Sequence, residues 1–127
     1  MIFNRDRCLI AAGIFGATSI IVGAFGAHGL EARLSPEAME THQTGVLYHL
    51  VHSLALIALA FASDTIWESK WAGRITVAWI LGIVVFSGSL YVLAITDIGI
   101  LGAITPIGGL AFIIGWVMVV PMGLRNR

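Results

Sequence analysis

The stretch CLIAAGIFGATSIIVGAFGAHGL, residues 8–30, contains 23 consecutive residues without a formal charge, between Arg7 and Glu31. An α-helix rises about 1.5 Å per residue and the hydrocarbon core of a bilayer is about 30 Å thick, so about 20 apolar residues cross it. A helix also satisfies its backbone polar groups within the segment, as lipid requires. The apolar part of a cleaved signal peptide has only about 7–15 residues, so we expect no cleavage. The stretch therefore predicts a membrane-spanning helix.

Three more uncharged stretches follow, and each is long enough for one crossing but too short for two. They contain 23, 22 and 27 residues, and they lie between Glu40 and Asp64, between Arg74 and Asp97, and between Asp97 and Arg125. No run alternates apolar and polar residues at period two, as the strands of a membrane barrel do. We predict an all-α, integral membrane four-helix bundle forming a single domain, residues 1–127, with its first to fourth spans at about 8–29, 45–63, 75–95 and 105–124.

The composition also indicates that lipid is the main solvent of this chain. Hydrophobic residues make up 58% and charged residues 11%, whereas soluble domains carry about 25% charged residues. The formal net charge is zero and there is no basic run, which excludes the phosphate contacts of nucleic-acid-binding proteins. The expected partner is therefore the lipid bilayer and not nucleic acid. The single cysteine, Cys8, permits neither an intrachain disulfide nor a CxxC pair.

The basic residues predict how the chain is oriented in the membrane. In a four-pass topology six of the seven fall on one side, and only Arg33 falls on the other; the six are Arg5, Arg7, Lys70, Arg74, Arg125 and Arg127. Lysine and arginine are enriched in cytoplasmic loops of membrane proteins. Both termini are therefore expected in the cytoplasm.

Small residues recur along the first span at spacings of four, three, four and three, which places them on one face of a helix: Ala12, Gly16, Ser19, Gly23 and Gly26. In lipid, helices associate through close packing across small residues. The stripe is therefore a helix-packing face, either for self-association or, as we expect, for the other helices of this chain.

Two proline positions suggest where helices begin. Ser35 and Pro36 fit an N-cap followed by proline at the first helical position, so a polar helical segment is expected to run from there into the second span. Thr105 and Pro106 fit the same pattern, and we favour a fourth span that begins at Pro106, with residues 98–104 as a connector. The alternative is a longer helix kinked at Pro106.

Polar side chains within the spans concentrate towards the predicted outer side of the membrane. His42, His49 and His52 lie on one face of the second span, because their spacings are seven and three. Intramembrane polar residues are costly, so they usually face the bundle interior. We predict a polar pocket in the outer half of the bundle, formed by His28, His49, His52, Ser87, Ser89, Tyr91 and Thr105.

Several roles remain open for these histidines. The simplest is that each imidazole hydrogen-bonds a hydroxyl or carbonyl group, as a buried polar group must. His28, His49 and His52 are also candidate ligands of a metal ion or haem, although no cysteine or carboxylate within the spans completes the set. A proton relay is a third role. A serine nucleophile is disfavoured, because the segment around Ser87 lacks the GxSxG elbow.

Three motifs resemble a known family: GAFGAHG at residues 23–29, FSGSLY at 86–91, and TPIGG at 105–109 followed by Gly115 and Trp116. With Thr44, Gly45 and His52, they resemble domain-of-unknown-function family 423, the YgdD- and YwdK-like proteins, over about residues 8–124. The resemblance implies four membrane helices and a location in a bacterial inner membrane. It implies no cofactor, no catalytic residue and no established activity.

Together these features favour a non-catalytic membrane protein that acts as an accessory or assembly partner of a larger membrane complex, because so little soluble surface leaves mainly lateral contacts. The partner is either another membrane protein or further copies of the chain in a homo-oligomer. The alternatives are a metal-, haem- or quinone-binding protein that uses the histidine cluster, a small transporter or channel, and an enzyme. The sequence identifies no cofactor.

Overall fold

The computed structural model of the chain describes residues 3–124, and these residues contain helices and short connections but no β-strand. The α-helices are α1 (Arg5–Phe25), α2 (Pro36–Ala60), α3 (Asp64–Glu68), α4 (Lys70–Gly82), α5 (Gly88–Thr96) and α6 (Ile100–Leu124). A π-helical turn, Gly26–Leu30, extends α1, and a second one, Ile83–Ser87, joins α4 to α5 without a break. Arg125 and Arg127, which contribute to the charge bias, lie outside the described residues.

Within residues 3–124, four helical segments are long and apolar enough to span a membrane: Arg5–Leu30, Pro36–Ala60, Lys70–Thr96 and Ile100–Leu124. They are the first to fourth spans, and they confirm the predicted all-α membrane bundle. Each contains 25 to 27 residues, which is about 38–40 Å of helix and exceeds the hydrocarbon core. The ends of the spans therefore reach into the interfacial regions.

The start of the second span is fixed by local hydrogen bonding. The Ser35 side chain accepts a hydrogen bond from the Ala38 backbone N–H, and Pro36 occupies the first turn, where its missing N–H is not needed. The first span has an equivalent cap, because the Asn4 side chain accepts from the Arg7 N–H. The predicted polar helical start at Pro36 is confirmed.

The expectation that the fourth span begins at Pro106 is wrong. α6 begins at Ile100, and Pro106 lies inside it. The Thr105 hydroxyl does not cap the helix but donates to the Leu101 carbonyl, one turn earlier. A connector at residues 98–104 would leave its backbone groups to find partners in the membrane, whereas the longer helix satisfies most of them internally. That gain exceeds the loss of the one backbone bond that proline cannot donate.

The spans have unequal burial. The second and third spans pack against each other in the middle, the first packs mainly on the second, and the fourth mainly on the third. Each span contains an apolar stretch of 18 residues. The buried share of that stretch is 17% in the first span, 22% in the fourth and 44% in the third. The first and fourth spans therefore direct most of their surface away from the bundle.

The small-residue stripe of the first span meets the second span at one end. A side chain at Gly23 would contact Val46 at 3.1 Å, and one at Gly26 would overlap the His42 ring. Ala12 and Ser19 are buried, but a methyl group at Gly16 would find nothing within 4 Å. Close packing therefore uses Gly23 and Gly26, while Gly16 lies beside open space.

Glycines also bring the third and fourth spans together. Gly108 packs directly against the backbone of Phe86 in the second π-turn, so any side chain there would overlap it. Gly82 lies on the Phe112 ring and Gly115 on the Trp79 indole. Close backbone approach is the usual means by which membrane helices gain dispersion energy.

Polar contacts close the end of the bundle at which the first span begins. We call this the Arg5 end, and the opposite end the Asp97 end. The Arg5 guanidinium pairs with Asp64 at 2.8 Å and donates to the Ala62 carbonyl at 2.8 Å. The Trp67 indole N–H donates to the Leu59 carbonyl at 3.1 Å. The two Arg5 bonds fasten the loop after α2 and the start of α3 to the start of α1, and the Trp67 bond fastens α3 to the end of α2.

Candidate functional site

Three histidines project from the second span into the bundle. His42, His49 and His52 are 2%, 5% and 3% exposed. Their spacings of seven and three residues place them on one inward face of α2, since residues three, four and seven apart share a helical face. The burial of imidazole rings in a membrane protein is unfavourable unless their nitrogens have hydrogen-bond partners.

His49 links the first and third spans to the second. Its Nδ1 lies 2.9 Å from the Tyr91 hydroxyl oxygen, and its Nε2 lies 3.3 Å from the Thr18 hydroxyl oxygen. The Thr18 hydroxyl donates to the Ile14 carbonyl at 2.9 Å. Because that shorter bond takes the hydroxyl hydrogen, Nε2–H donates to Thr18 and Nδ1 accepts from the Tyr91 hydroxyl. Both ring nitrogens are satisfied.

His52 links the second span to the fourth, and its bonds assign its tautomer. The Trp116 indole N–H donates to His52 Nε2 at 3.0 Å, and Nδ1 lies 2.8 Å from the Tyr48 carbonyl oxygen. Indole is only a donor and a carbonyl only an acceptor. The ring is therefore neutral with its hydrogen on Nδ1. Phe112 stacks on its face, with ring centroids 3.6 Å apart and planes at 13°.

The hydroxyl groups of the predicted pocket form further bonds between spans. The Ser87 hydroxyl, which is fully buried, donates to the Gly45 carbonyl at 2.8 Å and joins the third span to the second. The Ser89 and Thr105 hydroxyl oxygens lie 2.6 Å apart and join the third span to the fourth. The second π-turn ends at Ser87, so the shift in helical register that it introduces positions this residue.

The structure does not bring His28 together with the other histidines. Its side chain is exposed, and no hydrogen bond or ring contact within residues 3–124 connects it to His49 or His52. It lies in the π-turn Gly26–Leu30, whose buried residues are Gly26 and Leu30. At the end of the first span a ring turned outward meets the interface rather than the hydrocarbon core, which removes the requirement for burial.

The predicted pocket is therefore a set of separate joints between helices. His49 bonds to Tyr91 and Thr18, whereas His52 bonds to Trp116 on the other side of the second span. In the described part of the chain no three His, Cys, Asp or Glu side chains are grouped so that they hold a metal ion. A metal at His52 would also have to displace the Trp116 N–H from Nε2.

Three residues that take part in these contacts are absent from the pocket predicted from the sequence: Trp116, Thr18 and His42. Trp116 and Thr18 are not within a turn of any histidine along the chain, so only the packing of the spans reveals them. His42 replaces His28 at the junction of the first and second spans, where its ring lies beside Gly26 and 5.3 Å from the Tyr91 ring. The signal for His42 was present, because it shares the helical face of His49.

Comparisons with known proteins agree with this architecture. The model of a family described as protein of unknown function, DUF423, matches residues 22–109. The UPF0382 membrane protein YwdK of Bacillus subtilis is 47% identical over 120 residues, covering 92% of this chain and 95% of that protein. The UPF0382 membrane protein of Staphylococcus haemolyticus is 48% identical over 115 residues, covering 88% and 90%. The UPF0382 inner membrane protein YgdD of Escherichia coli is 38% identical over 119 residues, covering 94% and 90%. No solved structure matches the chain.

The bond between His49 and Tyr91 predicts a specific loss of stability. Tyr91→Phe removes only the hydroxyl group and leaves the His49 Nδ1 without a donor, so we expect a loss of about 0.5–1.5 kcal/mol. The matched control is Tyr48→Phe, because the Tyr48 hydroxyl makes no hydrogen bond within residues 3–124 and its removal should be neutral. Reversible unfolding in detergent measures both free energies, and equal values for the two variants would contradict the assignment.

Proposed function

The chain belongs to the DUF423 family of membrane proteins, and on that basis we propose that it is a non-catalytic accessory subunit that binds another membrane protein through its first span. In the membrane such a subunit acts by lateral contact. A helix of the partner protein packs against the face of the first span that the bundle leaves open.

The observation that carries the proposal is the open face of the first span. Only 17% of the 18-residue apolar stretch in this span is buried. A methyl group at Gly13 or Gly16 would find no atom within 4 Å. Helices in lipid associate by close approach across small residues, since apolar side chains gain little by leaving lipid. Glycines without a neighbour in the bundle therefore favour a partner helix at this face.

The polar joints support a structural role. His49, His52, Ser87 and Ser89 hydrogen-bond groups on neighbouring spans. A general base or nucleophile must present its reactive atom to a substrate, whereas these atoms already hold helices together. Their arrangement supports a rigid bundle that offers its outer surface to a partner.

The proposed location is the inner membrane of a bacterium, with both termini in the cytoplasm. The E. coli relative is named an inner membrane protein. The distribution of basic residues supports the orientation, because Arg5, Arg7, Lys70 and Arg74 lie at the Arg5 end and Arg33 at the Asp97 end.

Reporter insertions test this orientation. An insertion after Ser69, in the connection between α3 and α4, should report the cytoplasm, and one after Leu34, before the Ser35 cap, should report the periplasmic or outer side. At each position, the activity of a reporter that works only in the cytoplasm is compared with that of a reporter that works only outside it. A cytoplasmic signal from the Leu34 insertion would contradict the proposed orientation.

Site-specific photocrosslinking tests the accessory role. A photoreactive amino acid at Ile14, which is 57% exposed on the first span, should crosslink to another membrane protein in cells. The matched control is Val117, which is 61% exposed on the fourth span and should crosslink mainly to lipid. Purification under mild detergent and mass spectrometry identify the product.

Three results would contradict the accessory role. Equal protein crosslinking from Ile14 and Val117 would show that the first span is not a specific interface. Crosslinking at Ile14 only to a second copy of the chain would indicate self-association instead. Crosslinking only to lipid at both positions would show that the open face is solvated by the bilayer.

A further inference from the structure

A groove opens between the first and second spans at the Asp97 end of the bundle. It has a volume of about 290 Å³, which is near the lower end of the range for small-molecule sites, about 300–1,000 Å³. Its lining is mostly apolar and includes Gly23, Ala27, Met39 and Leu50, with His42 and Gln43 as its polar residues.

His42 differs from the other two buried histidines because its ring nitrogens have no hydrogen-bond partner within residues 3–124. Its side chain is 2% exposed and lines the groove. The edge that carries Nδ1 and Nε2 faces Gly26, where a methyl group would lie 2.7 Å from Nδ1. Because Gly26 has no side chain, this edge of the ring packs closely on the first span, between the groove residues Gly23 and Ala27.

A buried imidazole without a partner is unfavourable, and the bilayer offers no water at depth to replace one. The chain satisfies both nitrogens of His49 and of His52. An unpaired ring that lines a groove of ligand size thus indicates that the missing partner comes from a bound molecule. The neutral ring offers one N–H donor and one acceptor, and the Gln43 amide offers further donors nearby.

We propose that this groove binds a lipid-soluble molecule whose carbonyl oxygen accepts a hydrogen bond from the His42 ring and whose apolar chain follows the groove towards Leu50. Two sources present this chemistry, a long-chain quinone and the ester carbonyl of a phospholipid. His42 is six residues after the first residue of α2, about 9 Å along the helix. The site is independent of the accessory role of the first span.

The test compares the full-length protein with His42→Phe, which keeps a planar ring beside Tyr91 and removes both nitrogens. Each protein is delipidated in detergent, and its melting temperature is measured against increasing decylubiquinone and, separately, against dioleoyl phosphatidylglycerol. We expect the wild type to show a saturable rise with one of the two probes. His42→Phe should start at a higher melting temperature, because it lacks the unpaired group, and should bind that probe about two- to tenfold more weakly.

A second variant keeps the test informative if His42→Phe does not fold. Ala27→Leu fills the groove from the first span without changing His42, and it should also reduce the response to the probe. Tyr48→Phe is the control and should respond as the wild type does. A quinone response lost in His42→Phe identifies a quinone source, and a lipid response lost in that variant identifies a phospholipid. If neither probe raises the wild-type melting temperature, or if His42→Phe responds equally, the site does not exist.

Discussion

The absence of water from the bilayer core is the constraint on which this structure depends. A backbone or side-chain polar group at that depth is unfavourable unless it has a hydrogen-bond partner. The backbone meets the requirement by forming helices, and the second span meets it by turning His49 and His52 towards groups on three other helices, Tyr91, Thr18 and Trp116. These bonds have direction, so together with the close packing at the glycines they fix which faces of the spans meet.

Long uncharged stretches were enough to predict the spans, because crossing the membrane depends mainly on length and hydropathy. Two other features depend on competition between local sequence preferences and the requirements of the whole bundle in the membrane. Thr105 and Pro106 have the chemistry of a helix start, yet α6 begins at Ile100 because backbone groups in the membrane need the longer helix. His28 lies in a π-turn that directs it outward, and a π-turn has no reliable sequence signal. Pairs such as His52 and Trp116, 64 residues apart, required the packing itself.

Among the described residues, Arg5 Nε and the indole N–H groups of Trp71 and Trp79 are buried without a hydrogen-bond partner. Two further features have no partner within the bundle. One is the open face of the first span with its glycines, and the other is the unpaired His42 in its groove. The two lie on different surfaces and call for different ligands, a protein helix and a lipid-soluble carbonyl compound. A small bundle that is held rigid by internal hydrogen bonds is suited to present both, because its shape does not depend on either.

Hydrogen bonds between polar side chains hold the spans together, and a double-mutant cycle on His52 and Trp116 measures the strength of one such bond. His52→Phe and Trp116→Phe keep both aromatic rings and remove the 3.0 Å bond from either side. We expect the two changes not to be additive, with a favourable coupling of about 0.5–1.7 kcal/mol in the free energy of unfolding, the range found for membrane hydrogen bonds. Additive effects, with a coupling near zero, would contradict this expectation.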